Sequence, residues 1–231
     1  MSNRQYLRLE TWDLGLETWD LRLLEAHRAD DDIAAGDFDN AAWSEARAVQ
    51  VARYWSGEVA PPERHAEVRA VWSDSALCVR FCCHQAEPLV VSSAPQTSEK
   101  TNGLWERDVC EIFIAPDADE AQRYFEFEAA PTGEWLDLAI HQTPESRETD
   151  WEYSSGMAAA TRIEEGRITI AMCIPFEAFG RTPRAGESWR ANLFRCIGSG
   201  EGRGYLAWQP TRTVQPNFHV PEAFGWLRFV A

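Results

Sequence analysis

Three glutamates lie in segments that otherwise have the apolar alternation of β-strands. Glu111 lies inside residues 109–114, and Glu126 and Glu128 lie inside residues 123–129. A carboxylate in such a segment must have a partner or face a cleft, because burying an unpaired charge is costly. Carboxylates accept hydrogen bonds and do not donate them, so their suitable partners are hydroxyl groups, amines and cations. The pattern indicates a binding site or a catalytic site.

The side chains of a strand alternate between its two faces. Glu111 therefore shares a face with Phe113 and not with residues 110, 112 and 114. By the same rule Glu126 and Glu128 share the face of Tyr124. In each of these two strands, we expect one face to be apolar and the other face to carry the carboxylates.

The strand that follows gives a further indication. If the loop is residues 130–133, antiparallel pairing places Glu126 opposite Asp137. The same loop places Glu128 opposite Trp135. Two carboxylates that face each other directly are destabilising. Either an Arg, a cation or ligand hydroxyls offset the repulsion, or the register differs by one residue.

Tryptophan is unusually frequent, with 11 among 231 residues. Its ring is a flat, rigid and amphipathic surface for ligands. Trp105 lies just before the strand of Glu111, where a loop can present the ring. Trp151 and Tyr153 lie in an irregular segment, which leaves open whether they extend a ligand site.

From residue 36 the chain has the spacing of consecutive strands and turns, without interleaved amphipathic helices. Strands are predicted at residues 66–72, 77–83, 109–114, 123–129, 134–141, 167–174, 188–196 and 205–209. The glycines between 198 and 204 are assigned to a hairpin tip, because no Lys-Ser/Thr pair or helix follows them as in a phosphate loop. This arrangement favours an all-β sandwich or jelly roll. We predict one domain over residues 36–231.

Residues 1–35 are predicted to be an N-terminal extension. The hexapeptide LETWDL at residues 9–14 recurs at 16–21, a period too short for a repeat architecture. The segment is expected to supply at most one added strand or to be partly disordered.

The net charge of −15 disfavours nucleic acid and anionic membranes as partners, because both repel an acidic surface. The sequence has no apolar leader and no long apolar span. We expect a cytoplasmic location by default, or secretion if a leader has been removed.

Six cysteines show neither a CxxC pair nor the spacing of zinc ligands. Most lie in apolar runs, where a free thiol packs as a small hydrophobic group. The pattern predicts a reducing compartment, or folding that does not rely on disulfides.

Four segments resemble family 9 carbohydrate-binding modules, in the order in which that family has them. WERDVCEIFI (105–114) resembles the family's W-x-x-D-x-x-E-I-F-I strand, and FDNAAW (38–43) resembles its opening D-x-x-W turn. Residues 67–79 resemble its first central hairpin, and FHVPEAFGWLRF (218–229) resembles its P-x-x-F-G-x-L-x-F ending. The resemblance covers residues 36–230.

The resemblance implies an antiparallel β-sandwich of the DOMON-like group, with a non-catalytic site in which two aromatic rings clamp a terminal sugar. Trp105 and Phe218 match the two clamp positions. Glu111 matches a glutamate that accepts hydrogen bonds from sugar hydroxyls. Glu126 and Glu128 match positions where related modules carry an Arg and an Asn that touch the sugar.

The expected partner is therefore a mono- or oligosaccharide, bound in connection with carbohydrate catabolism. His219 either borders the site or makes a structural hydrogen bond. The resemblance also implies a possible structural calcium ion, for which no ligands match residue by residue. The sequence indicates neither the sugar nor an oligomeric state.

Three other functions remain open at this point. A scaffold or interaction domain with a decayed sugar site is favoured by the changes at Glu126 and Glu128. A glycoside hydrolase would use Glu111 with Glu126 or Glu128, since such enzymes need two carboxyl groups. A haem-binding DOMON-like module would need axial His or Met ligands on facing strands, and no motif joins the available ones.

Overall fold

The computed structural model describes residues 22–231, which are almost entirely β-structure. The strands are β1 (Leu23–Arg28), β2 (Val49–Val51), β3 (Arg53–Tyr54), β4 (Ala66–Trp72), β5 (Ala76–His84), β6 (Val109–Ala115), β7 (Arg123–Ala129), β8 (Trp135–Gln142), β9 (Arg147–Asp150), β10 (Ala158–Glu164), β11 (Arg167–Pro175), β12 (Ser188–Ile197), β13 (Gly204–Ala207) and β14 (Gly225–Phe229). One short helix, α1 (Ala42–Glu45), is accompanied by 3₁₀ turns at Pro62–Arg64, Leu104–Glu106, Phe176–Phe179, Gly200–Gly202 and Pro221–Ala223. None of the helices described is long and apolar enough to cross a membrane.

The strands form one mixed sheet in the order β10-β11-β5-β4-β1-β14-β12-β6-β7-β8-β9. Off this path, β2 pairs with β4, and β13 joins β12 to β3. The pairs of β1 with β14 and with β4 are parallel, and the other strand pairs are antiparallel. The prediction of an all-β sandwich is confirmed, with β1 as a parallel strand inside it.

The sheet folds over so that its two halves pack face to face. Strands β4, β5 and β11 of one half share a buried apolar cluster with β6, β7 and β12 of the other half. Its members include Val68, Phe81, Ile170, Ile112, Phe127 and Leu193. This cluster is the core of the sandwich.

The second half is also covered on its outer face. A separate apolar cluster there includes Phe113, Tyr124, Leu138, Phe194 and Phe224. All seven residues of β6 are consequently buried, as expected for a strand packed on both faces. The outer face is the one that also carries the three glutamates, as alternation predicted.

The predicted register of β7 and β8 is wrong by one residue. Glu126 pairs with Leu138 and Glu128 with Leu136, so neither faces Asp137 or Trp135. The cause is the loop, which runs over residues 130–134 because the Ala130 amide donates to the Glu134 carbonyl. One extra loop residue moves every partner on β8 by one position.

Strand β1 lies in the centre of the sheet, between β4 and β14. It belongs to residues 1–35, which the sequence analysis assigned to an N-terminal extension. That assignment allowed for one added strand. Leu24 and Ala26 of this strand are fully buried in the core. The duplicated hexapeptide lies outside the described residues.

One cysteine pair was not anticipated by the expectation of a reducing compartment or of folding that does not rely on disulfides. Cys78 and Cys173 form a disulfide. They are direct partners in the pairing of β5 with β11, and they are 95 residues apart in sequence. Spacing along the chain gives no signal of such a pairing, because the strand register brings the two residues together.

We expect Leu24→Ala to destabilise the protein by about 2–5 kcal/mol, because it leaves a cavity beside a central strand. Chemical denaturation gives the free energy of unfolding. Arg228→Ala is the control, because Arg228 is an exposed position on the neighbouring strand β14. Its effect should stay within about 0.5 kcal/mol. A Leu24→Ala protein as stable as this control would show that β1 does not contribute to the core.

Candidate functional site

A cavity of about 570 Å³ opens on the outer face of β6, β7, β8 and β12. Residues of β6, β7, β8 and β12 form its floor, and residues of β9, β13 and the loops form its walls. The floor contains Glu111, Phe113, Glu126, Leu138, Ile140 and Cys196, and the walls include Trp105, Glu106, Arg147, Thr149, Trp151, Arg203, Tyr205, Pro216, Asn217, Phe218 and His219. Five of the six predicted site residues therefore line one cavity. The sixth, Glu128, lies next to the floor without lining it.

The three glutamates form a compact group. Glu111 and Glu128 are direct partners across β6 and β7, and Glu126 is paired with Phe113 on the same two strands. One carboxylate oxygen from each glutamate lies within 4.8 Å of those of the other two. The side chains are almost completely buried, with exposed fractions of 2% for Glu111, 3% for Glu126 and 0% for Glu128.

Few donors reach these carboxylates. The thiol of Cys196 donates to Oε1 of Glu111 at 3.5 Å. Oε2 of Glu126 and both oxygens of Glu128 have no hydrogen-bond partner within residues 22–231. The group is thus a buried acidic site whose neutralising partner is missing from the described part of the chain.

Burial and mutual repulsion make ionisation of the group unfavourable. Burial raises the pKa of Glu111 well above its usual range, and the charge of Glu126 raises it further. Burial, followed by the charges of Glu111 and Glu126, does the same to the pKa of Glu128. Burial also raises the pKa of Glu126, against the opposing effects of the neighbouring Glu128 carboxyl group and the charge of Arg147. Desolvation is the first cause in each case.

Trp105 is held at the mouth of the cavity by its backbone. It lies in the 3₁₀ turn Leu104–Glu106, which follows Gly103 at a φ of 77°, and the side chain of Leu104 anchors the turn in the outer apolar cluster. The guanidinium of Arg203 donates to the carbonyls of Trp105 and Arg107. The ring itself remains 39% exposed, so it is available to a ligand.

A second exposed indole stands beside it. Trp151 is 43% exposed, and its ring centroid lies 6.3 Å from that of Trp105 at an interplanar angle of 45°. The sequence analysis left open whether Trp151 extends a ligand site. The structure places it on the wall of the same cavity.

Phe218 is more enclosed than Trp105. Its ring stacks on Phe194 with centroids 4.0 Å apart and an interplanar angle of 12°, and only 9% of the residue is exposed. Tyr205 meets it edge-on at 6.2 Å. One face of the Phe218 ring is therefore occupied by protein, and the residue contributes a firmly packed wall.

His219 both borders the cavity and makes a structural contact. Its Nδ1 is 2.9 Å from the hydroxyl of Tyr124. Burial, with a smaller effect of Arg147, lowers the pKa of His219 to about 3. The imidazole is neutral at pH 7, so its 4.0 Å distance to Glu126 does not amount to an ion pair.

The sequence analysis missed the basic residues of the cavity. Arg147 lies on β9, a short strand that is polar throughout, so alternation gives no signal there. Arg203 lies in the glycine-rich stretch, which was correctly assigned to a hairpin tip: β12 and β13 pair on either side of it. Only the folded chain brings these two residues to the glutamates.

The glutamate group is also where a metal ion would fit. Among the described residues it is the group of His, Cys, Asp or Glu side chains whose ligand atoms come within 4.8 Å of one another. Carboxylate oxygens suit hard cations such as Ca²⁺ and Mg²⁺. The structural calcium expected from the resemblance remains a prediction.

Comparison with known proteins points to one family. The family model described as "Carbohydrate-binding family 9" matches residues 37–229. No curated protein matches the chain.

Among solved structures, the chain is similar to a proposed carbohydrate-binding protein of Bacteroides uniformis, with a TM-score of 0.70 and 19% identity over 90% of this chain and 99% of that one. It is also similar to family 9 modules of Caldicellulosiruptor kristjanssonii. The complex with glucose has a TM-score of 0.62 and 13% identity, over 90% of this chain and 95% of the other. The complex with cellotriose has a TM-score of 0.64 and 13% identity, over 90% and 94%.

We expect Glu128→Gln to stabilise the protein in buffer that contains a metal chelator. The change removes one of three repelling buried carboxyl groups and adds an amide that donates to the other two. A hydrogen bond to a charged group contributes about 1.5–3 kcal/mol, so the free energy of unfolding should rise by about 1–3 kcal/mol in denaturant titrations. Glu165→Gln, at an exposed turn, is the matched control and should change little. A loss of stability would mean that the Glu128 carboxylate has a favourable partner.

Proposed function

Because the chain belongs to carbohydrate-binding family 9, we propose that it is a non-catalytic module that binds the terminal unit of a mono- or oligosaccharide in the cavity beside Trp105. The observation that carries this proposal is the arrangement of an exposed indole over a floor of buried carboxylates. Such a site offers an apolar plane and hydrogen-bond acceptors within one cavity, which matches the two kinds of surface of a sugar.

The indole of Trp105 supplies the apolar contact. The C–H face of a pyranose packs on an aromatic plane, and covering it contributes on the order of 1–3 kcal/mol. Phe218 is another wall of the cavity, and its ring is held in place by stacking on Phe194. Trp151, beside Trp105, extends the surface toward the next unit of a longer chain.

The floor supplies the polar contacts. Glu111 and Glu126 line the cavity, and their oxygens accept hydrogen bonds from sugar hydroxyls. Hydrogen bonds to charged groups are the stronger kind, worth about 1.5–3 kcal/mol each. Arg147 on the wall supplies donors for hydroxyl oxygens. After the costs of association, micromolar to millimolar dissociation constants are expected.

The cavity volume supports a small ligand. About 570 Å³ lies within the usual range of roughly 300–1,000 Å³ for small-molecule sites. The similar modules of Caldicellulosiruptor kristjanssonii were solved with glucose and with cellotriose. Those two sugars are therefore the first to test.

The positions of the carboxyl groups favour binding over hydrolysis. Glycosidases place two carboxyl groups on either side of the scissile bond, about 5–5.5 Å apart in retaining enzymes and about 6.5–9.5 Å apart in inverting ones. Here the three glutamates are gathered on one face of β6 and β7, with oxygens within 4.8 Å of one another. They can hold one side of a sugar, but they do not flank a bond.

We expect Trp105→Ala to weaken sugar binding by about 5- to 150-fold, which corresponds to the loss of 1–3 kcal/mol of ring contact at 1.4 kcal/mol per tenfold. Isothermal titration calorimetry with glucose, cellotriose and a wider glycan panel measures the affinity. Ile163→Ala removes another exposed apolar side chain, on β10 outside the cavity, and should leave affinity unchanged.

Phe218→Ala is expected to reduce binding as well, and it requires a thermal unfolding scan because the ring also packs on Phe194. Failure of every sugar in the panel to bind would refute the proposal in favour of a scaffold role. Hydrolysis of a nitrophenyl glycoside that is abolished by Glu111→Gln would refute it in favour of an enzyme.

A further inference from the structure

We propose that Glu111, Glu126 and Glu128 hold a divalent cation of the Ca²⁺ type beneath the cavity, and that sugar affinity depends on this ion. The cation site stands on the geometry alone. The dependence of sugar affinity on it rests on the proposed function.

The spacing of the carboxylates fits one ion. Calcium–oxygen distances are about 2.3–2.6 Å, so two oxygens on opposite sides of an ion are at most about 4.6–5.2 Å apart. One oxygen from each glutamate falls within 4.8 Å of the others. The spacing is therefore compatible with one ion shared by the three side chains, with small side-chain adjustments.

The oxygens that would bind the ion lack other partners. Both oxygens of Glu128 and Oε2 of Glu126 are buried and make no hydrogen bond within residues 22–231. A buried polar group without a partner is rare in folded proteins, and a buried carboxylate without one is more costly still. Glu128 lies below the cavity floor, where a small ion can reach it more readily than a sugar hydroxyl can.

The other buried carboxylates among the described residues have hydrogen-bond or ion-pair partners in the protein. Asp137 on β8 pairs with Lys100 at 2.7 Å and accepts a hydrogen bond from the Ser155 amide. Glu134 pairs with Arg107 at 2.6 Å. Asp108 likewise has donors, in the backbone amides of Gly198 and Val90. Protein groups thus neutralise or solvate every buried acid except the glutamate group.

Within residues 22–231, neither Arg147 nor Arg203 hydrogen-bonds to Glu128 or to Oε2 of Glu126. Arg203 directs its guanidinium to the carbonyls of Trp105, Arg107 and Gly198. Arg147 is on an exposed stretch of β9 and makes no contact with Glu128 among those described. Within residues 22–231, no side chain therefore balances the charge of three ionised carboxylates by direct contact.

The ligand set selects the class of ion. Three carboxylates offer up to six oxygens, and Ca²⁺ takes six to eight in flexible geometry. The nearby thiol of Cys196 donates a hydrogen bond to Glu111 and is not one of the clustered ligand atoms. The group therefore offers no sulfur ligand that would favour a soft metal. The open cavity above leaves room for water molecules or sugar hydroxyls to complete the shell.

Calorimetric titration of Ca²⁺ into chelator-stripped full-length protein tests the site. We expect wild-type protein to bind Ca²⁺ with a dissociation constant of roughly 1 mM or tighter, and Glu128→Gln to lose that binding event by tenfold or more. Glu126→Gln should behave in the same way, and Glu165→Gln should bind as the wild type does. The expected stability of Glu128→Gln without metal ensures that its loss of binding is not a loss of folding. Thermal unfolding should show Ca²⁺ raising the Tm of the wild type and not that of Glu128→Gln.

Equal Ca²⁺ binding by the wild type and Glu128→Gln would overturn the inference, since the ion would then be held elsewhere. Failure of Ca²⁺, Mg²⁺ and Mn²⁺ to bind would also overturn it, in favour of protons shared among the three carboxyl groups. If glucosamine then bound more tightly than glucose, the occupant would be the ammonium group of an amino sugar.

Titration of glucose and cellotriose with Ca²⁺ and with chelator separates the two proposals. We expect affinity to fall tenfold or more in chelator. Sugar affinity that is the same in both buffers would overturn the dependence on the ion and leave the binding function standing. Ca²⁺ binding that depends on Glu128, with no sugar bound in either buffer, would refute the proposed function and leave the cation site standing.

Discussion

The burial of three carboxyl groups on the outer face of β6 and β7 is the constraint that organises this site. A charge removed from water must be offset by a partner, or the group must remain protonated. Lysine, arginine or backbone amides meet this requirement for Asp137, Glu134 and Asp108. Within residues 22–231 they do not meet it for Glu128 or for Oε2 of Glu126, and this is the basis for proposing a cation or hydrogen-bond donors of a ligand as the partner.

The sandwich creates this situation because its second half is packed on both faces. The inner face of β6 contributes to the core, and the outer face lies under Phe194, Phe224 and their neighbours. The same rings that exclude water around the glutamates also support the cavity walls. Low local polarity strengthens each hydrogen bond or ionic contact that a ligand makes. The same low polarity makes the burial of the carboxylates costly.

Alternation along the strands was sufficient to place Glu111, Glu126 and Glu128 on one face, because a period of two depends only on local sequence. Their membership of one site was predicted only through the family resemblance, because their proximity depends on the pairing of β6 with β7. The register of β8 was missed because a loop of five residues cannot be distinguished from one of four by composition. Long-range features such as the Cys78–Cys173 disulfide, the central position of β1 and the approach of Arg147 have no local signal. They follow from the order of strands in the folded sheet.

The resemblance to family 9 modules placed an Arg and an Asn where this chain has Glu126 and Glu128. Such a change replaces hydrogen-bond donors with groups that only accept, yet it does not remove the capacity to bind a sugar. A sugar hydroxyl both donates and accepts hydrogen bonds. It can therefore donate to a glutamate on the floor where it would accept from an Arg or an Asn. Arg147 on the cavity wall supplies hydrogen-bond donors that partly replace those lost from the floor. The apolar contact that the ring of Trp105 can make does not depend on which polar groups form the floor. Under the proposed function, the aromatic surface would keep its role while the polar floor selects a different set of hydroxyls.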